Sequence, residues 1–338
     1  MLIDLRSDTV TRPTPEMLKY MFSARVGDDV YKEDPSINEL QEKTAKIFGK
    51  EAGLFCPSGT MTNQCAIKAH TQPGDEVICD VSAHIFNYEG GGMAFNSGVQ
   101  AKLVNGDRGR FTAKQVEEVL HPQADWLPRT SLVCIENTSN RGGGSYYRLQ
   151  DVKEIAEVSH KNNLALHLDG ARIFNALTET GESPLEYGKL CDSISVCFSK
   201  GLGAPVGSVI LGSHEFIGKA RRVRKLFGGG MRQGGYLAAA AIYALDNHIG
   251  RLKEDHKRAK ILGDVLKTNS MILDMLPVET NIIIFTLSDG ITAEKFVQLL
   301  GRQNILVSAT GKQTVRMVTH LDFTDPMLEI VEKAIKNI

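Results

Sequence analysis

The chain has 338 residues, 42% of them hydrophobic, and its 39 basic residues nearly balance 40 acidic ones, for a formal net charge of −1. That composition fits a globular protein with a sizeable core and carries no electrostatic footprint for nucleic acid or an acidic membrane surface. The cysteines, Cys56, Cys65, Cys79, Cys134, Cys191 and Cys197, form no C-x-x-C pair and mostly lie in apolar runs, so they read as buried free thiols in a reducing compartment. The histidines do not cluster with them, and no metal site is expected.

From the N-terminus, MLIDLRSDTV carries acids early and no apolar core region, so no secretory signal is expected. Residues 36–48 read as a helix, with Ser36 and Glu39 as a capping box and Ile37, Leu40, Thr44 and Ile47 on one face. Short apolar runs follow at 76–81, 131–138, 164–171, 193–200 and 207–213, with helical periodicity between most of them, as over 149–163. Continuous apolar strands alternating with helices predict an α/β fold whose mostly parallel sheet is covered by helices on both faces. The run at 236–245 is too short to span a bilayer, and a cytoplasmic protein without membrane or nucleic-acid partners is expected. After about residue 246 a long charged helix leads into a smaller α+β pattern, which divides the chain into a large unit, 1–246, and a small C-terminal domain, 247–338.

In parallel sheets ligands sit at the carboxyl ends of the strands. Glu136, Asn137, Asp169 and Lys200 are each predicted to end a strand there. Asp169, in LHLDGAR, is a carboxylate at the end of an apolar strand, costly unless paired. A helix cap or an ion pair with Arg172 would satisfy it; so would the protonated ring nitrogen of pyridoxal phosphate, the electron sink of carbanion chemistry. Lys200, in SVCFSKGLGAPVGS, is either a snorkelling side chain or an amine nucleophile that forms an imine with the cofactor aldehyde. Gly59 and Thr60, in CPSGTMTNQ, suit either a capped helix start or a phosphate cradle. His84 follows a strand and precedes a glycine cluster, a position from which it could stack on a flat ring. Arg172 and Arg316 are candidate clamps for a substrate carboxylate.

These residues stand in a series of ordered blocks: IDLRSDTVTRPT (3–14), VGDDVYKEDP (26–35), PSGTMTNQ (57–64), HTQPGDEVI (70–78), LHLDGARIFNA (166–176), SKGLGAPVGS (199–208), GGGMRQ (228–233) and VRMVTHLD (315–322). With them the chain resembles the L-threonine aldolase family over nearly its whole length. The resemblance implies pyridoxal-phosphate-dependent fold type I and retro-aldol cleavage of threonine or allo-threonine to glycine and an aldehyde. It casts Lys200 as the imine lysine, Asp169 as the ring-nitrogen acid, His84 as the stacking residue beside the reacting hydroxyl, and Gly59 and Thr60 as the phosphate cup. Ser7, Arg172 and Arg316 would hold the substrate carboxylate. Lys225 and Arg232 would reach a neighbouring subunit's site near the phosphate, in a homotetramer built as a dimer of dimers. The family often carries a histidine in a block like IHFPRT; here ADWLPRT puts Trp126 there, next to the β-hydroxyl that separates threonine from allo-threonine. ENTSN likewise has Ser139 where the family has histidine. The rivals are a β-eliminating lyase on the same fold, a racemase, and a non-catalytic cofactor-binding protein.

Overall fold

The computed structural model describes residues 1–122 and 124–338, and the strands of these residues form three sheets. The strands are β1 Ile3–Asp4, β2 Ala52–Cys56, β3 Glu76–Asp80, β4 Gln100–Val104, β5 Thr130–Glu136, β6 Ala165–Gly170, β7 Ser193–Cys197, β8 Ser208–Gly212, β9 Ile272–Met275, β10 Ile282–Leu287, β11 Ile305–Leu306, β12 Ser308–Ala309 and β13 Thr314–Val318. The large sheet has the order β2-β8-β7-β6-β5-β3-β4. It is parallel from β7 to β4, and β8 runs antiparallel to both its neighbours. The sequence missed β2 and β4. β4 is an edge strand that buries only Val104 fully, so it lacks the continuous apolar run of a central strand.

The two faces of the central strands differ, as the two-residue period of a strand requires. Leu166, Leu168, Ile194 and Val196 point into the main core, against the helices Pro35–Phe48, Leu149–Lys161 and Gly235–Asn247. The alternate residues His167, Asp169, Ser193 and Ser195 are buried and polar. They lie on the face covered by the helix Gly59–His70, where Thr62 and Asn63 bond Ser195 and Asp169. At the end of β6, on the main-core side, Gly170 permits a close approach: a Cβ would stand 2.4 Å from the carbonyl oxygen of Ser195.

The helix predicted at 36–48 spans Pro35–Phe48, but its cap is not the Ser36–Glu39 box. Asp34 accepts from the N–H of Ile37 at 3.0 Å, and Pro35, with its preset φ, takes the first turn. Ser36 instead donates to the carbonyl of Arg25. The run at 236–245 lies in the buried helix Gly235–Asn247, and among the described residues no helix is long and apolar enough to cross a membrane. A second core beneath β9, β10 and β13 takes Ile3 and Leu5 from the N-terminus, where β1 pairs with β11. This packing brings the segment Arg6–Asp8 over the carboxyl ends of the large sheet. All six cysteines are buried and free, in agreement with the sequence reading.

Candidate active site

Asp80, Glu136 and Asp169 converge at the carboxyl ends of β3, β5 and β6, and with His84 and Ser139 they line a small cavity. Register pairs Glu136 directly with Asp169. Lys200 does not end a strand. β7 stops at Cys197, and Lys200 sits in the following turn, closed by the N–H of Gly203 on its carbonyl at 2.8 Å. Gly203 has φ +75°, a conformation that suits glycine.

Asp169 is not paired with Arg172. Its Oδ1 accepts the N–H of Ala171 at 3.1 Å, and its Oδ2 accepts from Asn63 Nδ2 at 2.8 Å. The same Asn63 amide donates to Glu89 Oε1 at 2.9 Å, and Gln64 donates to Glu89 Oε2 at 2.7 Å. Glu89 Oε1 also meets His84 Nδ1 at 2.9 Å, and Glu136 Oε2 accepts the backbone N–H of His84 at 2.9 Å. Burial alone would lower the His84 pKa; the Glu89 hydrogen bond and the charges of Asp169, Glu89 and Glu136 outweigh it and raise the value above 6.5. Burial, reinforced by the Asp169 charge, raises Glu136 despite its two backbone N–H donors. His84, Glu89 and Asp169 bring one ligand atom each within 4.8 Å of one another, a spacing a metal could use, but the amides of Asn63 and Gln64 already address both carboxylates.

Opposite this acidic wall stands a basic one. Arg172 is buried and bound through Nε and Nη2 to the two carboxylate oxygens of Asp8, each at 2.7 Å. Asp8 also accepts from Asn281 Nδ2 at 3.2 Å. Burial would raise the Asp8 carboxyl, but the charge and hydrogen bonds of Arg172, the charge of nearby Lys200 and the Asn281 amide hold it well below the ordinary 3.8. Arg316 donates to Asn140 Oδ1 at 2.8 Å and to the carbonyl of Arg6 at 3.0 Å, and its Nε is buried without a partner. Burial and the neighbouring charges of Arg172 and Arg141 lower its pKa to about 10, against the pull of Asp8. The guanidinium of Arg141 lies 4.8 Å from the ring centre of Tyr88, which in turn lies 5.6 Å from that of His84. Ser7 sits between the partners of Arg316 and Arg172, and its Oγ caps the turn Asp8–Val10.

The helix Gly59–His70 presents its first turn to the same end of the sheet. Ser58 Oγ takes the N–H of Met61, while the N–H groups of Gly59 and Thr60 have no intrahelical acceptor. The hydroxyl of Ser208 is buried there without a partner, 3.6 Å from where a Cβ on Gly59 would be. Asn137, fully buried after β5, has both amide atoms unpartnered. A phosphate at the helix start and a ring with polar substituents over β5 and β6 would meet these orphaned groups, so the donor set fits pyridoxal phosphate.

The structure thus gathers Asp169, His84, Lys200, Gly59, Thr60, Ser7, Arg172 and Arg316 at one end of the sheet. Trp126 is not among them. It is 82% exposed in the loop before β5, at the end of that strand remote from Glu136, roughly 20 Å away at about 3.3 Å per residue. Lys225 and Arg232 are exposed as well, and Arg232 pairs with Asp28 at 2.8 Å. Ser139 is buried, its Oγ accepting the N–H of Gly142 at 3.2 Å, in a turn so close to Gly109 that a Cβ there would stand 2.2 Å from it. The sequence reading missed Asp8, Asn63 and Glu89. Asp8 lies within the block IDLRSDTVTRPT and Asn63 one turn past Gly59, so both stood inside quoted motifs without an assigned partner.

A family model described as beta-eliminating lyase matches residues 4–289. Low-specificity L-threonine aldolase 1 of Arabidopsis thaliana is 43% identical over 95% of this chain and 92% of its own length. The low specificity L-threonine aldolase of Escherichia coli K12 is 41% identical over 97% of this chain and 96% of its own. A structure described as Leishmania major threonine aldolase superposes with a TM-score of 0.85 at 20% identity, covering 99% of both chains, so the two share a fold. The chain belongs to the beta-eliminating lyase family and, within it, to the L-threonine aldolases.

Proposed function

We propose that this protein, loaded with pyridoxal phosphate, cleaves L-threonine, L-allo-threonine and related β-hydroxy-α-amino acids to glycine and an aldehyde. The observation that supports this best is the two-walled crevice: Asp169 and a histidine on one side, two guanidiniums on the other, with Lys200 close to the Asp8 carboxylate that holds one of them. When bound, the cofactor supplies the protonated ring that takes up the electron pair left on Cα as the Cα–Cβ bond breaks.

The chain's own residues do the rest. Lys200 would hold the cofactor through its Nζ. Asp169, fixed by Asn63 and the N–H of Ala171, would hold the cofactor's protonated ring nitrogen with its remaining lone pairs. The N–H groups of Gly59 and Thr60, with the Ser208 hydroxyl, hold the phosphate. Arg316, with Arg172 locked behind it by Asp8 and with Ser7 alongside, clamps the substrate carboxylate and so sets which bond at Cα is aligned for cleavage. His84, with Nδ1 committed to Glu89, offers Nε2 to the β-hydroxyl and takes its proton.

The chain works as a cytoplasmic homotetramer in which Lys225 and Arg232 reach a neighbouring copy's phosphate site. Trp126 likewise acts on a neighbouring site, since it is remote from its own. The large unit ends near residue 246. Product analysis with L-threonine tests the reading: glycine and acetaldehyde in equal amounts are expected. A 2-oxoacid with ammonia would assign the chain to β-elimination instead.

A further inference from the structure

Asn63 and His70 lie seven residues apart on the helix Gly59–His70, two turns along one face, and that face covers the polar side of β6 and β7. There His167 and Ser193 are register partners. His167 is also two residues before Asp169 on β6, so both side chains share that side of the sheet. A continuous hydrogen-bond chain results. His70 Nε2 meets Ser193 Oγ at 2.8 Å, Ser193 Oγ meets His167 Nδ1 at 2.8 Å, His167 Nε2 meets Asn63 Oδ1 at 3.2 Å, and Asn63 Nδ2 meets Asp169 Oδ2 at 2.8 Å.

The protons on this chain can be assigned. Asn63 has two amide hydrogens, and both go to carboxylates, those of Asp169 and Glu89. Its oxygen must therefore accept from His167, which places that proton on Nε2 and leaves Nδ1 bare. The Ser193 hydroxyl then donates to Nδ1 and accepts from His70 Nε2. Every donor points toward Asp169. An amide cannot hand a proton onward without becoming an imidic acid, so the chain is not a proton wire but a fixed row of dipoles. Both histidines are neutral: burial lowers His167 to about 4 and His70 to about 3, the latter with help from the neighbouring His167.

We propose that His70, Ser193 and His167 are positioning residues that lock the Asn63 amide, and through it hold Asp169 as an oriented acceptor for the cofactor's ring nitrogen. The inference rests on the pyridoxal phosphate reading above. A flipped Asn63 amide would set its oxygen against the two carboxylates and its NH₂ against the His167 N–H, so the His167 donor reinforces from behind the orientation that the acids require. One residue thereby serves the ring acid and, through Glu89, the orientation of His84.

The test compares wild type with His167→Leu, which removes the donor, His167→Gln, whose terminal amide can replace it, and Ser193→Ala, a small change in volume that frees both histidines. Pyridoxal phosphate affinity is measured by titration without substrate, and kcat and KM for L-threonine are measured below each variant's unfolding temperature. The expected result is a roughly tenfold or greater weakening of cofactor binding and a comparable fall in kcat with little change in KM for His167→Leu. Ser193→Ala should show a smaller shift in the same direction, and His167→Gln should recover most of the loss. A folded His167→Leu or Ser193→Ala protein with wild-type affinity and kcat overturns the proposal alone, because a merely structural role would lower the melting temperature and move neither readout. If His167→Leu does not fold, Ser193→Ala carries the decision. Wild type that takes up no pyridoxal phosphate overturns the reading beneath it.

Discussion

The two walls of the crevice are built on opposite plans. The acidic wall sets Asp169, Glu89 and Glu136 around a single histidine, and its hydrogen bonds tie a helix and the segment His84–Glu89 to two neighbouring strands of one sheet. The basic wall sets Arg172 and Arg316, with Arg141 close by, around one carboxylate, Asp8, and its partners come from the N-terminal segment, the loop after β5 and the small sheet. The first wall fixes its carboxylates with donors of the protein itself, the amides of Asn63 and Gln64 and the backbone N–H groups of His84 and Ala171. The second leaves the Nε atoms of Arg316 and Arg141 buried without partners among the described residues. Acids engaged by the protein's own donors and incompletely engaged guanidiniums are thus separated in space.

Substitutions can break this division in order of expected effect. Lys200→Ala should abolish turnover while retaining some pyridoxal phosphate binding, as read by absorbance and steady-state kinetics. His84→Asn should cut kcat by about 10²–10⁴-fold. Because neighbouring carboxylates raise the His84 pKa, the acid limb of the wild-type profile should have its midpoint above 6.5, and Glu89→Gln should move that midpoint down. A midpoint unaffected by Glu89→Gln would detach His84 from the acid wall.

On the basic wall, Asp8→Ala leaves the buried Arg172 uncompensated and should cost about 3–5 kcal/mol of stability in denaturant titration. The Asp8 carboxyl is depressed in the folded chain, so the stability it contributes is present above pH 3.8 and is lost as the pH falls through its lower folded value. Asp8→Ala should therefore weaken the acid dependence of unfolding as well. Arg316→Lys should raise KM for threonine roughly 10–100-fold with a smaller effect on kcat, since a lysine cannot reproduce the planar fork. The smallest change is expected from Trp126→His, which should alter the threonine to allo-threonine ratio by less than about tenfold and leave cofactor affinity unchanged.

The walls also differ in how far they could be read from the sequence. Strand-end logic drew Glu136, Asn137, Asp169 and Lys200 to one crevice, although Lys200 lies in the turn past its strand, and His84 was read separately from its place just after a strand. Arg172 and Arg316 were named as carboxylate clamps, but the arrangement that holds them was hidden, because Asp8 is 164 residues from Arg172. No local period links an N-terminal turn to a strand end; the pairing exists only because β1 joins the second core. Asn63 and Glu89 were overlooked for a different reason. An asparagine inside a helix and an acid before a glycine run have ordinary local explanations, and only burial beside Asp169 and His84 distinguishes them. The helix cap at Asp34 shows the same limit in miniature. Two capping patterns overlapped, and the proline at the first turn decided between them.

The most direct test of the central claim, that the space between the walls holds pyridoxal phosphate at Lys200, is borohydride reduction of the loaded protein followed by peptide mapping. The account predicts a single stable pyridoxyl label on Lys200, lost in Lys200→Ala. A label on another lysine, or no label on a protein that nonetheless cleaves threonine, would contradict it.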